Sequence, residues 1–130
     1  MHRDEAWSLL DGADHGVLAT AHAERGVDAV PVVFALDGSR ILLPVDTVKA
    51  KATTRLQRLE NLARDPRCVL LVDHYDEDWS QLWWVRVHGT AAVVDGRDPA
   101  LTRFPQYRQE GAVTATVVLA PDAVTGWRAG

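Results

Sequence analysis

Apolar residues in this chain come mostly in short runs cut by glycine, proline and aspartate, and only two stretches carry the spacing of an amphipathic helix. Ala6, Leu9 and Leu10 mark one face of a short helix over the first dozen residues, with Gly12 as its stop. Strand patterns follow at Gly16 to Ala21, Val30 to Leu36 and Arg40 to Val45, the second of them ended by the hairpin dipeptide Asp37-Gly38. Leu56, Leu59 and Leu62 then mark one face of a second helix, closed by Asp65-Pro66. Further strands are expected at Cys68 to His74, Leu82 to Val94, Val113 to Leu119 and Val124 to Arg128, with Gly89 marking a bulge or bend in the long one. Asp95 to Gly111 holds too many breakers for more than one helical turn near Leu101. Six or seven short strands without regular helix alternation predict a mainly β fold, a closed antiparallel barrel with helices appended, rather than a doubly wound sheet. With 130 residues and no repeat, low-complexity stretch or linker, residues 1–130 read as one domain.

Charge changes this picture at one place. The chain is net acidic, −4, yet Asp46 to Arg67 gathers Lys49, Lys51, Arg55, Arg58, Arg64 and Arg67 against only Asp46, Glu60 and Asp65. A basic cluster on an acidic background suits a discrete anionic group such as a phosphate, whereas a duplex-binding protein would be basic throughout. The plainer alternative is a solvated outer helix face. The cluster leads from a strand into a helix, however, where unpaired N–H groups and the positive dipole end add to the attraction. No Gly-x-x-x-x-Gly-Lys-Ser/Thr loop is present, so a nucleoside-triphosphate P-loop is not expected.

Other chemistries lack their residues. The five histidines are scattered and have no His-x-x-x-His pair, no serine has a Gly-x-Ser-x-Gly context, and the lone Cys68 sits in an apolar run that suggests a buried, inert thiol. Asp73, Asp76, Glu77 and Asp78 with His74 form an acidic loop whose spacing does not fit an EF-hand; solvated charge, or pairing with cations across an interface, accounts for it without a metal. The apolar runs are too short to span a bilayer and the first residues lack signal-peptide form, which predicts a cytoplasmic protein. An enzyme without nucleophile or metal would borrow its reagent from a cofactor. Five tryptophans are a surplus, and Trp83-Trp84 are adjacent in one strand, so one can enter the core while the other faces an interface or ligand wall; the plainer alternative is that both pack under neighbouring loops.

The order GVLAT, VPVVFAL with its Asp-Gly turn, ILLPVD, a Lys-x-Lys pair, RLQRLENLARDPR and VLLVDHYDEDWSQLWWVRVHGTA resembles the split-barrel flavin/deazaflavin oxidoreductases, the pyridoxamine 5′-phosphate oxidase-like superfamily. DHYDEDWSQLWWVRVHG and the late TGWR resemble an actinobacterial branch described as coenzyme F-420-dependent. The resemblance implies a six-stranded antiparallel split β-barrel, a homodimer with cofactor sites in grooves at the subunit interface, and no nucleic-acid or membrane partner. Carried over by position, Lys49 and Lys51 match the Lys-x-Lys element and Arg58 and Asn61 the Arg-x-x-Asn of the next helix, all on the cofactor phosphate side. Pro31 and Val32 would line the ring, and Trp84 and Arg86 would approach from the interface. The implied activity is hydride transfer from reduced coenzyme F-420 to a small unsaturated substrate. The alternatives are an FMN oxidase or reductase of the same fold and a non-catalytic F-420-binding or storage protein. One departure stands out: relatives have a longer helix where Asp98 to Gly111 is brief around PQY.

Overall fold

The computed structural model describes residues 1–46 and 53–130. Helix α1 (Arg3–Asp11) opens the chain, with the His2 imidazole accepting from the Asp4 N–H, Asp4 and Glu5 in its first turn, and Ala6 and Leu10 buried. Carboxylates at that end favour the helix dipole. Seven strands follow: β1 (His15–His22), β2 (Gly26–Val33), β3 (Ala35–Asp37), β4 (Arg40–Asp46), β5 (Arg67–His74), β6 (Trp83–Asp95) and β7 (Val113–Arg128), with helix α2 (Thr53–Arg64) between β4 and β5. All pairings are antiparallel in one sheet of order β2-β1-β5-β6-β7-β4-β3.

Three expectations change. The predicted strand from Val30 to Leu36 is two strands, divided at the fully buried Phe34, whose N–H still donates to the Asp14 carbonyl opposite it at 3.0 Å, while from Ala35 onward the chain pairs with β4. The predicted sixth and seventh strands are one, because Asp122 bulges out between Pro121, opposite Gly89, and Ala123, opposite His88, and pairing continues on both sides. A bulge absorbs one extra residue without ending a strand. Finally, among the described residues the sheet's hydrogen-bond ladder is not closed, since its edges are β2 and β3, and the chain steps directly from one edge to the other through Phe34.

The two faces of the central strands differ as their period-2 pattern requires. Leu18, Leu70, Val72, Val85 and Val87 point inward to a core that also receives Phe34, Leu62 and Leu119. A second apolar cluster forms where 3₁₀ turns at Pro99–Arg103 and Pro105–Tyr107 bring Leu101, Phe104 and Tyr107 against Ala35, Leu42 and Val113. Arg97 holds that segment closed by donating from Nη1 to the carbonyls of Tyr107 and Arg108, both at 2.9 Å.

Candidate functional site

Helix α2 turns a mixed face inward. Arg58, Asn61 and Leu62, spaced i, i+3 and i+4, are 7%, 2% and 3% exposed. Leu62 joins the core as expected, while Leu59 is only partly buried, so a guanidinium and an amide occupy ground that the leucine pattern alone assigns to apolar packing. Cations are seldom buried this far unless they are paired.

Arg58 forms part of the wall of a groove of about 430 Å³ between α2 and the β1–β2 hairpin. Thr20 comes from β1, Asp28, Ala29 and Val30 from β2, Arg25 from the turn between them, and Gln57 from α2. The turn itself is built for this. His22 Nδ1 accepts from the N–H groups of Glu24 and Arg25 at 3.0 and 2.9 Å, and Gly26 takes φ +90°, which a residue with a Cβ rarely adopts.

A continuous hydrogen-bond network ties hairpin to helix. Arg25 donates from Nε and Nη2 to the two oxygens of Asp28, each at 2.9 Å. Asn61 Nδ2 donates to Asp28 Oδ2 at 2.9 Å and to Thr20 Oγ1 at 3.0 Å, while Asn61 Oδ1 accepts from Gln57 Nε2 at 2.9 Å. The Arg25 fork and then Asn61 lower the Asp28 pKa from 3.8 to about 2, so the carboxylate is ionised at neutral pH. Among the described residues, Arg25 and Arg58 bring two guanidiniums to the groove, groups suited to an oxyanion, beside the apolar surface of Ala29 and Val30.

The family model described as pyridoxamine 5′-phosphate oxidase matches residues 3–128. The chain belongs to the pyridoxamine 5′-phosphate oxidase family. No curated protein matches it. Among solved structures it is similar to an FAD binding protein from Mycobacterium smegmatis, at 20% identity and TM-score 0.67 over 98% of this chain and 97% of that one. It is similar as well to a conserved hypothetical protein from Mycobacterium tuberculosis, at 23% identity and TM-score 0.71 over 98% and 85%. A heme binding protein from Mycobacterium smegmatis aligns at 20% identity and TM-score 0.69 over 96% of this chain and 53% of that one. At such identities the likeness establishes a shared fold.

Within this family member, the residues singled out from the sequence fall in different places. Arg58 lines the groove, and Asn61 lies buried with both its amide hydrogens engaged by Thr20 and Asp28. Val32 is packed in the core and Pro31, opposite Val17, is exposed on the other face of β2. Trp84 and Arg86 share the outer face of β6, with the guanidinium 5.1 Å from the indole centre, whereas Trp83 packs against the core and stacks on His74. Lys49 and Lys51 lie outside the described residues. Two other cations of the basic segment serve the fold. Arg64 donates to the Ala21 carbonyl at 2.6 Å, and Arg67 is forked onto Asp65. Sequence reasoning passed over Arg25, Asp28, Thr20 and Gln57. An Arg and an Asp three residues apart around a turn glycine was the available signal, and only the approach of α2 gives it meaning.

Proposed function

We propose that this family member is an oxidoreductase that binds a flavin-type cofactor in the groove beside α2, coenzyme F-420 in the leading reading, and reduces a small unsaturated substrate. The observation that carries the reading is the buried Arg58 in the wall of a 430 Å³ groove that Arg25 also lines. A flavin or deazaflavin bound in its reduced form would supply the hydride and be left oxidised. The chain's own share is binding and alignment: Arg58, with Lys49 and Lys51 of the adjoining segment, holds the phosphate, Ala29 and Val30 offer apolar surface, and Asn61 fixes the hairpin to the helix. FMN is the second reading, and the similarity to a structure described as an FAD binding protein favours it.

A cytoplasmic homodimer completes the proposal. Val17, Val27 and Leu71, on the outer face of β1, β2 and β5, are 37%, 67% and 39% exposed, and apolar surface gathered on one sheet face is what a second copy would cover. Among the described residues no helix is long and apolar enough to cross a membrane. The six-stranded split barrel follows if β2 and β3, consecutive through Phe34, are counted as one bent strand that brings the two sheet edges together.

The test is to mix the protein with FMN or coenzyme F-420, pass it through a desalting column and record which chromophore remains. Lys51→Ala should weaken retention of the bound species by roughly one to two orders of magnitude. Loss of both chromophores from the wild type sinks the reading. Tight binding without oxidation of the reduced coenzyme across a quinone and enone panel would make it a storage protein instead.

A further inference from the structure

We infer that Arg25, on the β1–β2 turn, is a second oxyanion arm of the groove, held in position by Asp28 and Asn61, and that it contacts a phosphate oxygen of the bound ligand opposite the α2 side. The inference rests on the cofactor reading for the identity of that ligand, but its own support is geometric. A guanidinium carries five N–H donors in one plane. Asp28 takes only the Nε and one Nη2 hydrogen, both at 2.9 Å, which grips the side edge of the fork. Three donors are left over by that pair, and the two of them on the end edge have the shape that takes two oxygens of a phosphate at once.

The grip is itself anchored. Asp28 is tied through Asn61 to Thr20 on β1 and Gln57 on α2, so the guanidinium, though 58% exposed as a side chain, does not rest on a loose surface residue. Fixing an arginine beforehand lowers the entropy lost when it takes a ligand. Asp28 is taken up by the side edge of the Arg25 fork and by Asn61, and Arg58 brings a second guanidinium to the wall of the same groove. Asp28 and Asn61 are thus positioning residues, and Arg25 is the one that touches ligand.

Binding of riboflavin, FMN and coenzyme F-420 by wild type, Arg25→Ala, Arg25→Lys and Asp28→Asn tests this, with inorganic phosphate against chloride at equal ionic strength as a fourth probe in thermal melts. Arg25→Ala should weaken FMN and F-420 by about tenfold or more while leaving riboflavin unchanged, because riboflavin lacks the oxyanion. Asp28→Asn should act in the same direction less strongly, and Arg25→Lys should recover the charge but only part of the affinity. A purely structural role would weaken riboflavin as much as FMN, and that result, or equal binding by wild type and Arg25→Ala, overturns the arm while the cofactor reading stands. If the wild type takes none of the three chromophores yet phosphate raises its melting temperature in an Arg25-dependent way, the arm stands and the cofactor reading falls. If phosphate fails as well, both fall.

Discussion

Thr20 lines two concavities, and they differ in what their charges do. In the groove beside α2 the carboxylate Asp28 is reached by Asn61, 33 residues away, and Asn61 reaches Thr20, 41 residues away, so the network exists only once helix and hairpin have met. In the second, about 310 Å³, the charged pair is Asp65 and Arg67, two residues apart at the turn into β5, with Cys68, His88 and Asp122 nearby. Both carboxylates are lowered to about 2 by their arginines. A depressed carboxylate therefore marks neither groove as a site. What separates them is the buried Arg58 and the long-range connection in the first, against a self-contained ion pair and an inert thiol in the second.

The hardest blow to that distinction is Asn61→Leu. It leaves Asp28, Thr20 and Gln57 each without one partner, and losing buried hydrogen bonds of this kind should cost roughly 2–4 kcal/mol in urea unfolding. A cost below about 1 kcal/mol would mean that the network is no more than decoration and that the two grooves are alike. Next in size is Cys68→Ser, which puts a hydroxyl where a thiol is 5% exposed in the core, at an expected cost of about 1–2 kcal/mol with cofactor binding retained. Burial first, and the Asp122 charge second, push the Cys68 thiol up to about 11. At pH 8 only about one molecule in a thousand carries the thiolate, so alkylation by iodoacetamide should be far slower than for free cysteine. Alkylation at the free rate, or loss of cofactor binding in the serine variant, would bring the second groove back as a site.

Much of the architecture was legible because turn residues and apolar runs act locally. Gly12, Asp37-Gly38 and Asp65-Pro66 each end an element where expected, Gly89 sits at the register shift, and the turn near Leu101 is present. The break at Phe34 was hidden because it is a change of partner, from β1 before it to β4 after it, and no local residue marks that change. The union of the last two strands was hidden for a similar reason, as Pro121-Asp122 reads as a stop until β6 supplies a partner on both sides of it. At the candidate site, the charge excess before and within α2 pointed to this helix, and Arg58 lines the groove beside it. The hairpin half was not legible. Arg25 and Asp28 look like an ordinary exposed turn pair, and their link to Asn61 is set by how α2 lies across β1 and β2.

The smallest effects sharpen the comparison most. Asp28 and Asp65 have pKa values lowered in the folded state from 3.8 to about 2, by hydrogen bonds from Arg25 and Arg67 respectively. A lowered carboxylate pKa adds stability that is complete above the unfolded value, near 3.8, and is lost as pH falls toward 2. Asp28→Asn and Asp65→Asn should each flatten the acid limb of the melting temperature between pH 4 and pH 2, and neither should change its shape above pH 5. Both arginines are largely exposed, so screening keeps each contribution small and added salt should reduce both. The two variants should part only when phosphate-bearing ligand is present. Asp65→Asn should keep the wild-type preference for FMN over riboflavin, since Arg67 serves the turn, whereas Asp28→Asn should lose part of it. Equal loss in both would place the two grooves on the same footing and remove the reason for choosing the one beside α2.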